Sequence, residues 1–316
     1  MIDYSKEFEQ LSDAYQQSGG DPEALKDDKN GLMLISGNEL LGKNEIPGLV
    51  IETGQLEDGV KARVRVKENT HIENPVHLCF GVIPQKGVQR ILADFYIEDN
   101  ASASFLAHCS FPNAEKVQHI MEGEVNIGKH ARMEYRETHY HGDTGGVEVL
   151  PKMKINVDKG GSYISTFKLV KGAAGVIDLD YEAYLEDGAV SEMYAKIYGK
   201  GEDDIRVKES IYLNGRESRG LAESRIVVSE RARAEVLGEV IGNGADSRGH
   251  VDCMEIVQGK EAKASAVPRL EVVDDTAKLT HEAAIGSVDK RQVQTLMARG
   301  LSESEAVDTI VKALLK

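Results

Sequence analysis

Three groups of side chains in this sequence have the chemistry to hold a soft or borderline metal or to carry sulfur. They are three cysteines, a histidine pair and a His-Glu step near the end of the chain. Cys79, Cys109 and Cys253 form no CxxC pair, and an odd number closes into no disulfide framework, so reduced thiols are expected. His139-x-His141, within ETHYHGD, puts two imidazoles on one face of a strand, which is half of a zinc or iron site. Cys253 and Glu282 are 29 positions apart, with His281 beside the glutamate, while Cys79, Cys109 and His139 are spaced by 30 and 30. These separations are close to a repeat that runs through the middle of the chain. In a coil of that length, residues one period apart become neighbours about 4.8 Å apart. On that reading Cys253 and Glu282 approach each other with both side chains pointing outward, and Cys79, Cys109 and His139 form one column.

Other chemistries are poorly represented. There is no G-x-S-x-G elbow and no HExxH. Gly37 to Asn44 nearly matches a phosphate-binding P-loop, but Asn44 cannot replace the hydroxyl that ligates magnesium, and Ile46-Pro47-Gly48 replaces the helix behind it. No nucleotide is expected on this chain. A β-helix enzyme acting on carbohydrate would need carboxylates along a groove, and the abundant Asp and Glu fall largely at turns.

The elements that position these residues are read from periodicity. Phe8, Leu11 and Tyr15 make 3–17 an amphipathic helix that stops at Ser18-Gly19-Gly20. From about Gly31 the period changes to 2, as in LMLIS and VKARVRV, which are strands. From 90 to 286 a polar or glycine turn, a small residue and an alternating strand recur, as at Asp99-Asn100-Ala101, Lys129-His130-Ala131 and Gly160-Gly161-Ser162, at intervals near 30 or 15. That suits a parallel β-helix of about 30 residues per coil, right-handed by the crossover rule. An antiparallel β-sandwich is the alternative. After Gly286 two short helices follow, with Val293, Leu296 and Met297 on one stripe and Val307, Ile310, Val311 and Leu314 on the other. The expected division is 1–30 helical, 31–286 β-helix and 287–316 a helical hairpin.

Composition narrows the partners. Over 316 residues the net charge is −15 and the pI about 5.1, which argues against nucleic acid or an anionic membrane surface. The start MIDYSKEFEQ lacks a basic and an apolar leader region, and no apolar run reaches the roughly 18 residues that span a bilayer, so a cytoplasmic location is expected.

The C-terminal run HEAAIGSVDKRQVQTLMARGLSESEAVDTIVKALL resembles the closing signature of the SufB/SufD family, and NPVHLCFG with ADFYIEDNASASFLAHCSFP resembles its upstream cysteine segment. The likeness spans roughly 60–316, is most specific at its C-terminal end, and lies closer to SufB at the His-Glu-Ala step. It implies a right-handed parallel β-helix flanked by helices. It further implies a scaffold, not itself an enzyme, that assembles a transient iron–sulfur cluster with a SufC-type ABC ATPase. Carried over by position, Cys253 and Glu282, preceded by His281, match the residues implied in holding the cluster, and Cys109 matches the one implied in receiving sulfur, with His139 next along the column. The C-terminal helices become the expected ATPase dock. Pairing of the chain with itself as a homodimer, or with a SufB/SufD paralogue, is expected near the end of the β-helix. The alternatives are a SufD-like adaptor without its own cluster, or a carbohydrate-active β-helix.

Overall fold

The computed structural model describes residues 6–316. The expected N-terminal helix is α1, Lys6–Gln17; residues 3–5 of that expectation lie outside the described residues. A single 3-10 turn, Pro22–Leu25, follows. The first strands are β1 Leu32–Ser36, β2 Glu39–Asn44, β3 Leu49–Gln55, β4 Val60–Val66, β5 Val76–Gly81 and β6 Lys86–Ile97. Next come β7 Ser102–Phe111, β8 Lys116–Ile127, β9 Arg132–His141, β10 Val147–Val157, β11 Ser162–Lys171, β12 Val176–Leu185 and β13 Val190–Gly199. The last are β14 Asp204–Leu213, β15 Arg219–Ser229, β16 Arg233–Gly242, β17 Arg248–Gln258, β18 Lys263–Val272 and β19 Lys278–Gly286, before helices α2 Lys290–Met297 and α3 Glu303–Leu314. Among the described residues no helix is long and apolar enough to cross a membrane.

From β4 onward the strands alternate between two parallel sheets, ordered β19-β17-β15-β13-β11-β9-β7-β5-β1-β2 and β18-β16-β14-β12-β10-β8-β6-β4-β3. This is a parallel β-helix rather than a sandwich. Its first end is closed by two antiparallel pairs, β1 with β2 and β3 with β4. The stretch Gly37–Asn44 therefore belongs to a hairpin, with no helix N-terminus behind it.

Coils form because inward positions alternate with outward ones. In β13 every second residue, from Ser191 through Met193, Ala195 and Ile197 to Gly199, is buried in the lumen, and the intervening ones face out. Corners depend on a left-handed residue directly before a small buried one. Asn100, His130 and Asp246 take φ of 56°, 55° and 57°, followed by Ala101, Ala131 and Ser247. Asn, Asp and His tolerate this region better than branched residues do, and the small successor leaves room for the coil above. The corners also stack, because the Asn100 N–H donates to the Lys129 carbonyl at 2.8 Å and the His130 N–H to that of Lys159 at 3.0 Å.

The coil length is not constant. Phe80 sits opposite Cys109, an offset of 29; Cys109 sits opposite His139, an offset of 30; Val149 sits opposite Ile177, an offset of 28. Side chains alternate faces along a strand, so a one-residue change in offset carries a residue across the sheet relative to a fixed spacing. Cys79 pairs with His108, not Cys109, and so leaves the expected column. It lies on the outer face, sealed beneath α1 among Phe8, Leu11, Tyr15 and Leu34. There Tyr15 also hydrogen-bonds His77 at 2.9 Å.

The C-terminal hairpin folds back along the outside of the first sheet. Val311 and Leu315 are buried against Val227, flanked by Val170, Tyr198 and Ile256 from three further strands. Val311, expected on a face offered to a partner, instead packs on its own chain, and Leu314 and Val307 lie partly against the same wall. Helix α2 buries none of its residues.

Gly172 tests the stacking of coils. It holds φ of 81°, and a Cβ there would run into the His141 carbonyl of the coil below. Gly172→Ala is expected to lower stability by about 1–3 kcal/mol, through a left-handed backbone and the forced shift of a neighbouring strand. The check is an earlier denaturation midpoint with an unchanged slope; a midpoint equal to wild type would contradict this stacking.

Candidate functional site

Two adjacent inward columns of the first sheet carry thiols and carboxylates. One runs Ala107, Glu137, Phe167, Ala195, Ser224, Cys253, Ala283, and its neighbour runs Cys109, His139, Leu169, Ile197, Ile226, Glu255, Ile285. A cysteine and a glutamate thus meet across the columns twice, five coil steps or roughly 24 Å apart.

The first meeting is fully enclosed. Cys109, Glu137, His139, His141 and His119 are each no more than 2% exposed. The Cys109 thiol donates to Glu137 Oε1 at 3.6 Å, and His139 Nε2 lies 2.6 Å from that same oxygen. His139 Nδ1 faces His141 Nε2 at 3.2 Å, and His141 Nδ1 donates to the Ala173 carbonyl at 3.0 Å. From the other sheet comes His119, whose Nδ1 lies 2.9 Å from Gln89 Oε1 and whose ring centroid is 5.9 Å from that of His139. Of the ring nitrogens here, His119 Nε2 is buried without a partner, while the Tyr135 and Tyr181 hydroxyls reach towards the Glu137 carboxyl. Desolvation sets the protonation. It holds the three imidazoles down to about 3, with mutual repulsion adding for His119 and His141, so all are neutral near pH 7. Burial first, and Glu137 second, raises the Cys109 thiol well above its usual range, and burial raises Glu137.

The second meeting lies near the far end. Cys253 is 2% exposed and points inward, and burial pushes its thiol up to about 11. Glu255 accepts from Ser224 Oγ at 2.9 Å and is pushed by burial up to about 7. Between the two meetings the other sheet contributes Tyr181 and its register partner Glu209. Tyr135 and Tyr181 lie within electrostatic reach of Glu137, and Glu209 within reach of Cys253. A discontinuous line of polar groups therefore runs through the lumen.

The structure brings Cys109 and His139 together and separates Cys253 from Glu282. The offset between β17 and β19 is 30, so Cys253 faces Ala283 and Glu282 faces Asp252 on the outer surface. Cys253 was expected to point outward with Glu282; alternation along β17 puts it on the inside, with Val251 and Glu255. His281 is the residue of that step that shares the inner face, opposite Val251, and it is exposed because no coil covers β19. Glu137 is legible in hindsight as the i−2 neighbour of His139 on the same strand face. His119 and Gln89 lie 30 apart in register but on the other sheet, which strand spacing around the cysteines does not reveal.

A family model described as the SufBD core domain of the SUF system for FeS cluster assembly matches residues 90–314. An iron–sulfur cluster assembly SufBD family protein of Methanocaldococcus jannaschii is 36% identical over 98% of both chains. One from Pyrococcus horikoshii is 35% identical over 99% of this chain and 95% of its own, and one from Archaeoglobus fulgidus is 26% identical over 80% and 67%.

Glu209 gives the lumen a measurable pH signature. Burial, with the nearby Glu223 charge, raises it from 4.5 to about 8. The unfolded chain loses this proton near 4.5 and the folded chain keeps it to about 8, so the stabilisation is complete below 4.5 and is lost as pH rises through 8. In that window Glu209 alone contributes a decline of about 1.4 kcal/mol per pH unit. Glu209→Gln should flatten the measured slope of unfolding free energy by about that amount; an identical slope in both proteins would place the carboxyl in water.

Proposed function

The chain belongs to the SufBD family of iron–sulfur cluster assembly proteins, and from that membership we propose that it is a scaffold on which a nascent cluster is built and released. Sulfur is received at Cys109, beside Glu137 and His139. The cluster is held at the open end by Cys253 with His281, Glu282 being reached from outside by a second chain. The observation that carries this reading is the recurrence of a buried thiol beside a carboxylate at two places on adjacent inner columns, the second one coil from the uncovered end. A structural lumen needs no such groups, because burying them costs free energy that apolar residues would not. So few thiols leave a cluster weakly held, which suits a product that must depart.

The last coil supports an interface with a second copy of the chain. Val267, Val272, Val273 and Ile285 are 56%, 52%, 62% and 49% exposed there, and the free edges of β18 and β19 present unpaired backbone groups. A SufB/SufD paralogue is the other occupant; the mass of the purified assembly separates the two. ATP hydrolysis belongs to a separate SufC-type ATPase in the cytoplasm. Its dock is the outer side of the hairpin, where Val293, Leu296 and Ile310 are half-buried and Met297 is 42% exposed beside the groove at Val257 and Val307.

Anaerobic reconstitution with iron and sulfide should give the visible absorption of a cluster in wild type and none in Cys253→Ala, with stability lowered by no more than about 1–2 kcal/mol. Cys109→Ser should still reconstitute from free sulfide but fail when sulfur is supplied by a protein persulfide donor. Full cluster yield in Cys253→Ala would sink the cluster assignment. Absence of a cluster in wild type, with the ATPase still bound, would favour a SufD-like adaptor.

Met297→Asp combined with Ile310→Asp should abolish co-purification with the ATPase while circular dichroism stays unchanged. Unchanged binding would mean that the hairpin only braces the outer wall.

A further inference from the structure

We propose that Cys109, Glu137 and His139 form a mononuclear site for a borderline divalent cation of the zinc, ferrous or cobaltous type, enclosed within the β-helix and separate from any cluster at Cys253, with the unpartnered Nε2 of His119 on the opposite sheet turning in as the fourth ligand. One ligand atom each from Cys109, Glu137 and His139 lies within 4.8 Å of the others, a spread that a single ion with bonds of about 2.0–2.3 Å can bridge. One thiolate, one carboxylate and imidazole nitrogen suit zinc, iron or cobalt, whereas magnesium and calcium take oxygen alone.

Hydrogen bonding fixes which atoms are available. The Gln89 amide nitrogen is engaged with the carbonyls of Ile35, Gly37 and Gly81, which turns its oxygen towards His119 Nδ1. His119 Nδ1 therefore carries the proton, and the unpartnered Nε2 presents a lone pair. A second chain of bonds does the same for His139. The Ala173 carbonyl can only accept, so His141 Nδ1 is protonated and its neutral Nε2 accepts from His139 Nδ1. His139 Nε2 is then the nitrogen that faces Glu137 Oε1, and at 2.6 Å the two share one proton that a metal would displace. Both imidazoles are thus held in the tautomer that a metal requires. Each braces its far nitrogen against a fixed acceptor, as ligating histidines do. The Nε2 of His119 is buried with no hydrogen-bond partner, whereas buried ring nitrogens are ordinarily paired.

Charge balance points the same way. Without metal the site holds a thiol and one proton shared between Glu137 Oε1 and His139 Nε2, so it carries no net charge. A dication displaces the thiol proton and the shared proton to solvent, and the thiolate and carboxylate that remain cancel its two charges. The enclosed site is neutral before and after, so filling it leaves no uncompensated charge in the lumen. This assignment does not rest on the cluster reading and survives its failure; on that reading the metal-free Cys109 thiol is the form that receives sulfur.

Cobalt reports the site directly. Reduced, metal-free full-length chain, either incubated with cobaltous ion without oxygen or refolded in its presence, should bind a single equivalent. The product should show thiolate-to-cobalt charge transfer and the visible bands of a four-coordinate ion. Cys109→Ser should abolish the charge transfer, and Cys253→Ser should leave it intact. His119→Ala should keep it while changing the visible bands. The isosteric Glu137→Gln, folded by circular dichroism, should bind much more weakly, and His141→Ala should lose about 10–100-fold in affinity. Failure of wild type to bind by either route would overturn the proposal. So would charge transfer that survives Cys109→Ser or disappears in Cys253→Ser.

Discussion

The backbone hydrogen bonds between successive coils are the constraint on which everything else depends. They lock each strand to the one a coil earlier in a definite register, and alternation then decides whether a given side chain meets the lumen or water. Cys109 and His139 share an inner column because the coil between them is 30 residues long. Cys79 lies under α1 because the preceding coil is 29. The same arithmetic puts Cys253 over Ser224 and under Ala283, leaving Glu282 on the outer wall beside Asp252. Chemistry in this molecule is placed by coil length before it is tuned by neighbours.

Inside and outside solve the problem of polar groups differently. The outer wall pairs charges in water. Lys208 bridges Asp180 at 2.9 Å and Glu182 at 3.1 Å, Arg225 reaches Asp252 at 2.5 Å, and Tyr184 stacks on Tyr212 at 4.6 Å. The partly exposed Lys208 pairs contribute little each, whereas Arg225 and Asp252, 14% and 21% exposed, are largely shielded from water. In the lumen the same desolvation raises the carboxyls and lowers the imidazoles, which disfavours their charged forms. That arrangement keeps reactive groups out of water.

The architecture was legible because its signals are local. Ala101, Ala131 and Ala189 after their turn residues, and the change of hydrophobic period at Gly31 and after Gly286, mark corners and boundaries between regular segments in the sequence alone. The pairing of Cys109 with His139 was legible too, since their spacing equals the true local coil. Cys253 was misread because a spacing of 29 fits the coil before it but not the one after, and no residue between them announces the extra position. Val311 was misread for another reason. An amphipathic stripe says that a helix buries one face, not whether a partner or its own chain does the burying. His119 and Gln89 reach the lumen from the opposite sheet, so they meet Cys109 only after the coil has closed.

Each coil of such a solenoid touches only the coils on either side, so its persistence is set by nearest neighbours. Both ends finish on edge strands, but at the first end α1 covers β2 through Leu41, whereas β18 and β19 bury none of their residues. Opening must therefore begin at the last coil and run backwards, giving a gradient of local stability along the axis. Cys253 sits one step inside the fraying end, and Cys109 deep in the part that opens last. Breathing of the final coil alone, without global unfolding, is enough to bring the Cys253 thiol to solvent.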